Sequence, residues 1–94
     1  MVLVTGIDGV FQNPFNPSTT IAYTVRETSE VEILIYNVKG QLVRQLLSQT
    51  KQPGNHRELW DGNDNYGTSC ASGLYNVVLR AGNKTFNRKA VLLK

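Results

Sequence analysis

Short runs of alternating apolar and polar residues, each closed by a glycine- or proline-bearing turn, constrain this chain more than any other feature. From Thr19 to Val25 the side chains Ile21, Tyr23 and Val25 fall on one face and Thr20, Ala22 and Thr24 on the other. That is the period of a strand. Val31 to Val38 is β-branched and apolar enough to be a central strand. Lys39-Gly40 then supplies a tight turn, and Gln41 to Leu47 is expected to return as its hairpin partner. Pro53-Gly54 breaks the chain before a strand from His56 to Trp60. Leu74 to Arg80 and Lys84 to Leu93 are the last two strands, joined through Ala81-Gly82-Asn83. One stretch has a helical flavour, because Leu42, Val43 and Leu46 could share a helical face. It runs only from Gln41 to Leu47, below the length at which a helix stands unsupported. The expectation is an all-β chain forming a two-sheet antiparallel sandwich of about seven strands.

Size and composition agree with one small domain. The 94 residues can bury roughly two thirds of the surface the unfolded chain exposes, enough for a single core. The single cysteine, Cys70, cannot close an internal disulfide, so the fold must rest on apolar packing, with Cys70 as a small buried hydrophobe. No stretch approaches the apolar length that crosses a bilayer as a helix, and no membrane insertion is expected. Met1 to Ile7 lacks the basic start of a signal peptide. Residues 1–10 read as a linker or leader, and residues 11–94 as the folded domain.

The leader Asn13-Pro14-Phe15-Asn16-Pro17 is stiff. Each proline fixes its own φ and restricts the asparagine before it, and an asparagine side chain can bond to nearby backbone. The segment reads as a defined lead into the first strong strand, with Phe15 as its hydrophobic anchor.

Chemistry-bearing candidates are few. Asp61, Asn63 and Asp64 place oxygen donors in a glycine-containing loop, as calcium sites do. The spacing is not that of an EF-hand, and no bidentate glutamate follows. Asp and Asn are equally the residues of tight turns, so calcium and a plain Asx-rich turn both stay open, and no other cofactor is indicated. Trp60 suits either a sugar-stacking face or, with Tyr36 and Tyr75, the core of the sandwich. His56, the only histidine, falls on the same strand face as Glu58 and Trp60, and no motif brings it to a nucleophile, so an enzyme is not expected. All seven acids lie at or before Asp64, whereas Arg80, Lys84, Arg88, Lys89 and Lys94 follow with no acid among them. The last two strands should present a basic edge or face. Such lysines and arginines also discourage edge-to-edge aggregation. Without a recognition helix or an exposed aromatic ladder, nucleic acid is not the expected partner.

Five blocks in order carry a family resemblance: Asn13 to Ile21, Ile35 to Val43, Gly54-Asn55-His56 leading to Trp60-Asp61-Gly62-Asn63-Asp64, Ala71-Ser72-Gly73-Leu74-Tyr75, and Arg88 to Lys94. From about Phe11 to Lys94 the chain resembles the type A C-terminal sorting domain of proteins exported by the type IX secretion system of Bacteroidetes. It is also similar to the immunoglobulin-like domain of the flagellar hook-capping protein. The resemblance implies an immunoglobulin-like fold without catalysis, acting as a signal for a covalently continuous upstream cargo. Its partners would be the type IX translocon and a sortase-like peptidase. Its location would be the periplasm in transit, then the cell surface or the medium. The signal residues it implies are Arg88, Lys89, Val91, Leu92, Leu93 and Lys94, docking through an exposed strand edge and basic side chains. Asn13, Pro14, Phe15, Asn16, Pro17, Trp60, Asp61, Gly62, Gly73 and Tyr75 would be structural, with the Asn13 segment at the opposite end of the sandwich. Any cleavage would precede Phe11, within Thr5 to Gly9. An accessory module of a secreted enzyme, packing on its catalytic domain or binding polysaccharide, is the alternative, and a hook-cap-like scaffold is a third.

Overall fold

The computed structural model describes residues 3–14 and 17–93. Its seven strands are β1 (Gly6–Phe11), β2 (Thr19–Val25), β3 (Ser29–Tyr36), β4 (Leu42–Lys51), β5 (Gly54–Trp60), β6 (Gly73–Ala81) and β7 (Lys84–Leu92). They form two antiparallel sheets in the orders β1-β2-β5 and β4-β3-β6-β7. The all-β two-sheet sandwich expected from the alternation is therefore what the chain forms.

The alternation of β2 and β3 builds the core. Ile21, Tyr23 and Val25 cluster with Val31, Ile33 and Ile35, and with Val77 and Leu79 of β6. Each such side chain taken from water contributes roughly 1.5–3 kcal/mol before the entropy of ordering it is counted. Trp60, fully buried, meets Tyr75 edge-to-face with ring centroids 5.3 Å apart. Cys70 is buried in the same cluster, as expected of a small hydrophobe.

β4 explains its helix-like sequence. Its register against β3 shifts between Ile33 and Leu34 and again between Ile35 and Tyr36. Each bulge inserts an extra residue and resets which side chains face inward. Val43, Leu46 and Leu47 consequently all pack on the core although their spacing is helical.

The first strand corrects the sequence reading. Residues 6–10 are not a linker: Gly6–Phe11 pairs with β2 along its length. The pattern was hidden because Ile7 is the only buried side chain of this strand, between Gly6 and Gly9. A bulge between Ile7 and Gly9 leaves Asp8 out of the ladder, and its carboxylate accepts a 2.7 Å hydrogen bond from the Thr24 hydroxyl.

Sheet edges are protected by different means. On β4, the Asn65 side chain accepts from the Gln45 amide at 2.8 Å while the Asn65 amide donates to the Val43 carbonyl at 3.0 Å. β5 turns His56 and Glu58 toward the inner face, opposite Tyr23 and Ile21 of β2. Inward polar and charged groups on an edge strand discourage further pairing.

Candidate functional site

The terminal strand is held in register by the β6–β7 hairpin, from Gly73 opposite Leu92 to Ala81 opposite Lys84. Gly82 opens the turn at φ 62°, while Asn83 has a negative φ, the pattern of the tight primed turn that suits hairpin twist. Ala90 and Leu92 point into the core and are buried. Lys89, Val91 and the exposed Leu93 fall on the outward row. Lys89 donates to the Asn76 side chain of β6 at 2.7 Å.

Two expectations about this strand change. The leader does not sit at the opposite end: Asn13 Nδ2 donates to the Lys89 carbonyl at 3.0 Å, and Asn13 Oδ1 accepts from the Val91 amide at 2.8 Å. One side chain thus occupies the backbone positions that an added strand would need there. Arg88, on the inward row, reaches across the seam between the sheets and donates to the Ile7 carbonyl of β1 at 3.1 Å. The side chain thus ties β7 to β1 while remaining exposed. Thr19, buried at the start of β2, shares its hydroxyl hydrogen between the Phe11 and Gln12 carbonyls at 2.7 and 2.6 Å, tying the leader to β2. Pro14 and Pro17 are exposed. Phe15, Asn16 and Lys94 lie outside the described residues.

The Asp61 loop already contains a cation, the Arg44 guanidinium. Arg44 Nη1 lies 3.3 Å from Asp61 Oδ1, 3.2 Å from the Asn63 carbonyl and 3.3 Å from the Asp64 carbonyl. It is the one ion pair among the described residues. Asp61 Oδ1 also accepts from the Asn63 amide at 3.0 Å, and Asp64 Oδ1 accepts from the amides of Tyr66 and Thr68, both at 2.9 Å. These are Asx turns. The donor set does not fit calcium, since Asp61 Oδ1 and the Asn63 and Asp64 carbonyls already receive an arginine and Asp64 Oδ1 receives two backbone amides. Among the described residues no cluster of three or more His, Cys, Asp or Glu could hold a metal. Nothing in the sequence signals Arg44, which lies on β4, away from the loop it fills.

Trp60 is not a sugar platform. It is fully buried, and its indole N–H donates to the Asn63 carbonyl at 2.9 Å. Gly62 follows it at φ 79°, a left-handed conformation that favours glycine, and its carbonyl accepts from the Cys70 amide at 2.9 Å. Tyr75 gives the block from Ala71 a physical reason. Its hydroxyl donates back to the Ala71 carbonyl at 2.6 Å, locking the chain where Gly73 starts β6. Burial, with Cys70 nearby, raises the Tyr75 phenol above its usual pKa.

A tyrosine hydroxyl bonded to backbone a few residues upstream, beside a buried tryptophan in a two-sheet sandwich, is a feature of immunoglobulin-like domains. The FlgD Ig-like domain family matches residues 15–85, and the chain belongs to that family. No curated protein matches it. Among solved structures it is similar to dimeric latent PorU from Porphyromonas gingivalis, with a TM-score of 0.73 and 21% identity over 97% of this chain and 9% of that one. It is also similar to PorZ, described as an essential bacterial surface component of the type IX secretion system of the same oral bacterium. There the TM-score is 0.61 and the identity 19%, over 95% of this chain and 12% of PorZ. At these identities the likeness is one of fold, and the chain spans only a small part of either protein.

Proposed function

We propose that this immunoglobulin-like domain is a non-catalytic C-terminal sorting module, directing a fused cargo across the outer membrane by the type IX system and on to the cell surface. The observation that carries the reading is β7. Its inward row is fixed in the core and its backbone is clasped by Asn13, so Lys89, Val91 and Leu93 are presented outward on a rigid ribbon. The ordered motif blocks and the type IX context of PorZ, one of the two structural neighbours, support it.

The translocon and a sortase-like peptidase are the partners this reading requires. Recognition uses the outward face of β7 rather than open backbone at Lys89 to Val91, because Asn13 holds that edge. Cleavage falls before Gly6, since a cut within Gly6 to Gly9 would sever an edge strand of the sandwich. The test joins the whole chain to a periplasm-targeted fluorescent protein in a bacterium with a working type IX system. Surface or medium fluorescence that requires the module supports the reading. Retention in the periplasm with the module folded refutes it.

A further inference from the structure

Half of the exposed large hydrophobic side chains among the described residues lie at one end of the four-stranded sheet. Val38 (71% exposed) lies in the turn after β3, Leu42 (48%) opens β4 opposite Tyr36, Leu74 (39%) follows the start of β6, and Leu93 (52%) follows β7. Their strands reach this end together because all three pairings of the sheet are antiparallel. By alternation Tyr36, Leu74 and Val91 share the outward face, and Leu74 stands directly opposite Val91. Beside them an open groove of about 320 Å³ runs between the Asn37 to Gln41 turn and the segment from Ala71 to Tyr75. Scattered single hydrophobics need no explanation, but a contiguous apolar patch rimmed by polar groups marks an interaction site.

The turn and the outward row of this corner carry lysines, whereas the nearest carboxylates, Asp61 and Asp64 in the loop bonded to the start of β4, are engaged by Arg44 and by backbone amides. Lys39 is exposed in the turn and Lys89 stands on the outward row. The outward acids of the same sheet, Glu30 and Glu32, lie toward its other end, with Glu32 four residues or about 13 Å along β3 from Tyr36. A second copy docked corner to corner would bring lysine toward lysine, which opposes self-association.

We propose that this corner is a docking surface for a protein partner whose contact face is apolar at its centre and carries carboxylates at its rim. The proposal deepens the sorting reading and rests on it, since the corner includes the outward row of β7. It adds that the signal is composite: the β3–β4 turn and Leu74 supply as much of it as the terminal strand. The partner therefore reads the folded domain, and the linear sequence of β7 is insufficient. Buried apolar anchors would give most of the affinity, and the lysines would steer the encounter.

The test uses the whole chain fused to the periplasmic reporter. Three forms are compared: wild type, Val38→Ser with Leu74→Ser, and Leu59→Ser as a control on an equally exposed leucine of the other sheet. Thermal unfolding confirms that each is folded, and sedimentation gives its oligomeric state. The expected result is surface fluorescence for wild type and Leu59→Ser, with a drop of about tenfold or more for the double variant. Lys39→Glu should lower export as well. Wild-type export by the folded double variant would overturn the composite surface and leave the sorting reading standing. A wild-type dimer that the double variant converts to monomer would overturn the choice of partner in favour of a second copy. Failure of the wild type itself to leave the periplasm would overturn both.

Discussion

Asn13 and Val91 are 78 residues apart in sequence and 2.8 Å apart in the fold. With the companion bond to the Lys89 carbonyl, the asparagine side chain imitates a short strand laid along β7. Asn13→Ala should lower stability by about 1 kcal/mol, the net worth of two solvent-exposed hydrogen bonds. It should also speed hydrogen exchange at the Val91 amide more than at the Ala90 amide. Chemical denaturation and residue-resolved exchange check both expectations.

Arg44→Ala should cost only about 1 kcal/mol, because the Asn63 and Asp64 carbonyls each keep another donor, the Trp60 indole and the Gly67 amide, and because Asp61 is half-exposed and its ion pair is screened by water. Calcium added to the wild-type protein should leave its melting temperature unchanged. A calcium-dependent rise would show that the ion displaces the guanidinium.

Tyr23 is fully buried, and its hydroxyl has no hydrogen-bond partner among the described residues. Burial first, and the Glu58 carboxylate second, push its pKa up to about 12. The folded state thus keeps the phenol proton where the unfolded chain has begun to release it. The resulting stability is fully present below about pH 10 and is lost as pH rises from there toward 12, an effect on the order of 2 kcal/mol. Tyr23→Phe should remove that component of the alkaline decline. At neutral pH it should be neutral or stabilising by up to about 1 kcal/mol, since it deletes an unpaired buried hydroxyl. Denaturation of both proteins across the alkaline range measures the difference.

Tyr75→Phe keeps the ring against Trp60 and deletes only the bond to the Ala71 carbonyl. A loss of about 1 kcal/mol is expected, with the largest chemical-shift changes from Ala71 to Gly73.

What could be read from the sequence divides along physical lines. The strands β2, β3, β6 and β7 were legible because their sequences alternate or, in β3, form a continuous β-branched run bounded by turn residues, and Cys70 was legible as core by residue type. β1 was missed because a strand with one buried side chain and two glycines carries almost no periodic signal. The bulges of β4 turned a strand pattern into a helical one, and only pairing with β3 resolves it. Within the candidate site, the basic character of the last two strands was legible from the charge pattern, but the split of β7 into an outward row and an inward row with buried Leu92 was not. Nor were the Asn13 clasp and the Arg44 plug, since each joins elements distant in sequence through a polar side chain that local patterning does not place.

The most direct test of the sorting account compares the complete chain with a version lacking Val91 to Lys94, each fused to the periplasmic fluorescent reporter in a type IX bacterium. Arg44→Ala in the complete chain, which loosens the Asp61 loop and leaves β7 untouched, serves as a control for lost stability. The account predicts surface fluorescence for the complete chain and for Arg44→Ala, and periplasmic retention of the truncated form with its cargo intact. Equal export of the complete and truncated forms, or retention of the complete and folded form, would contradict it.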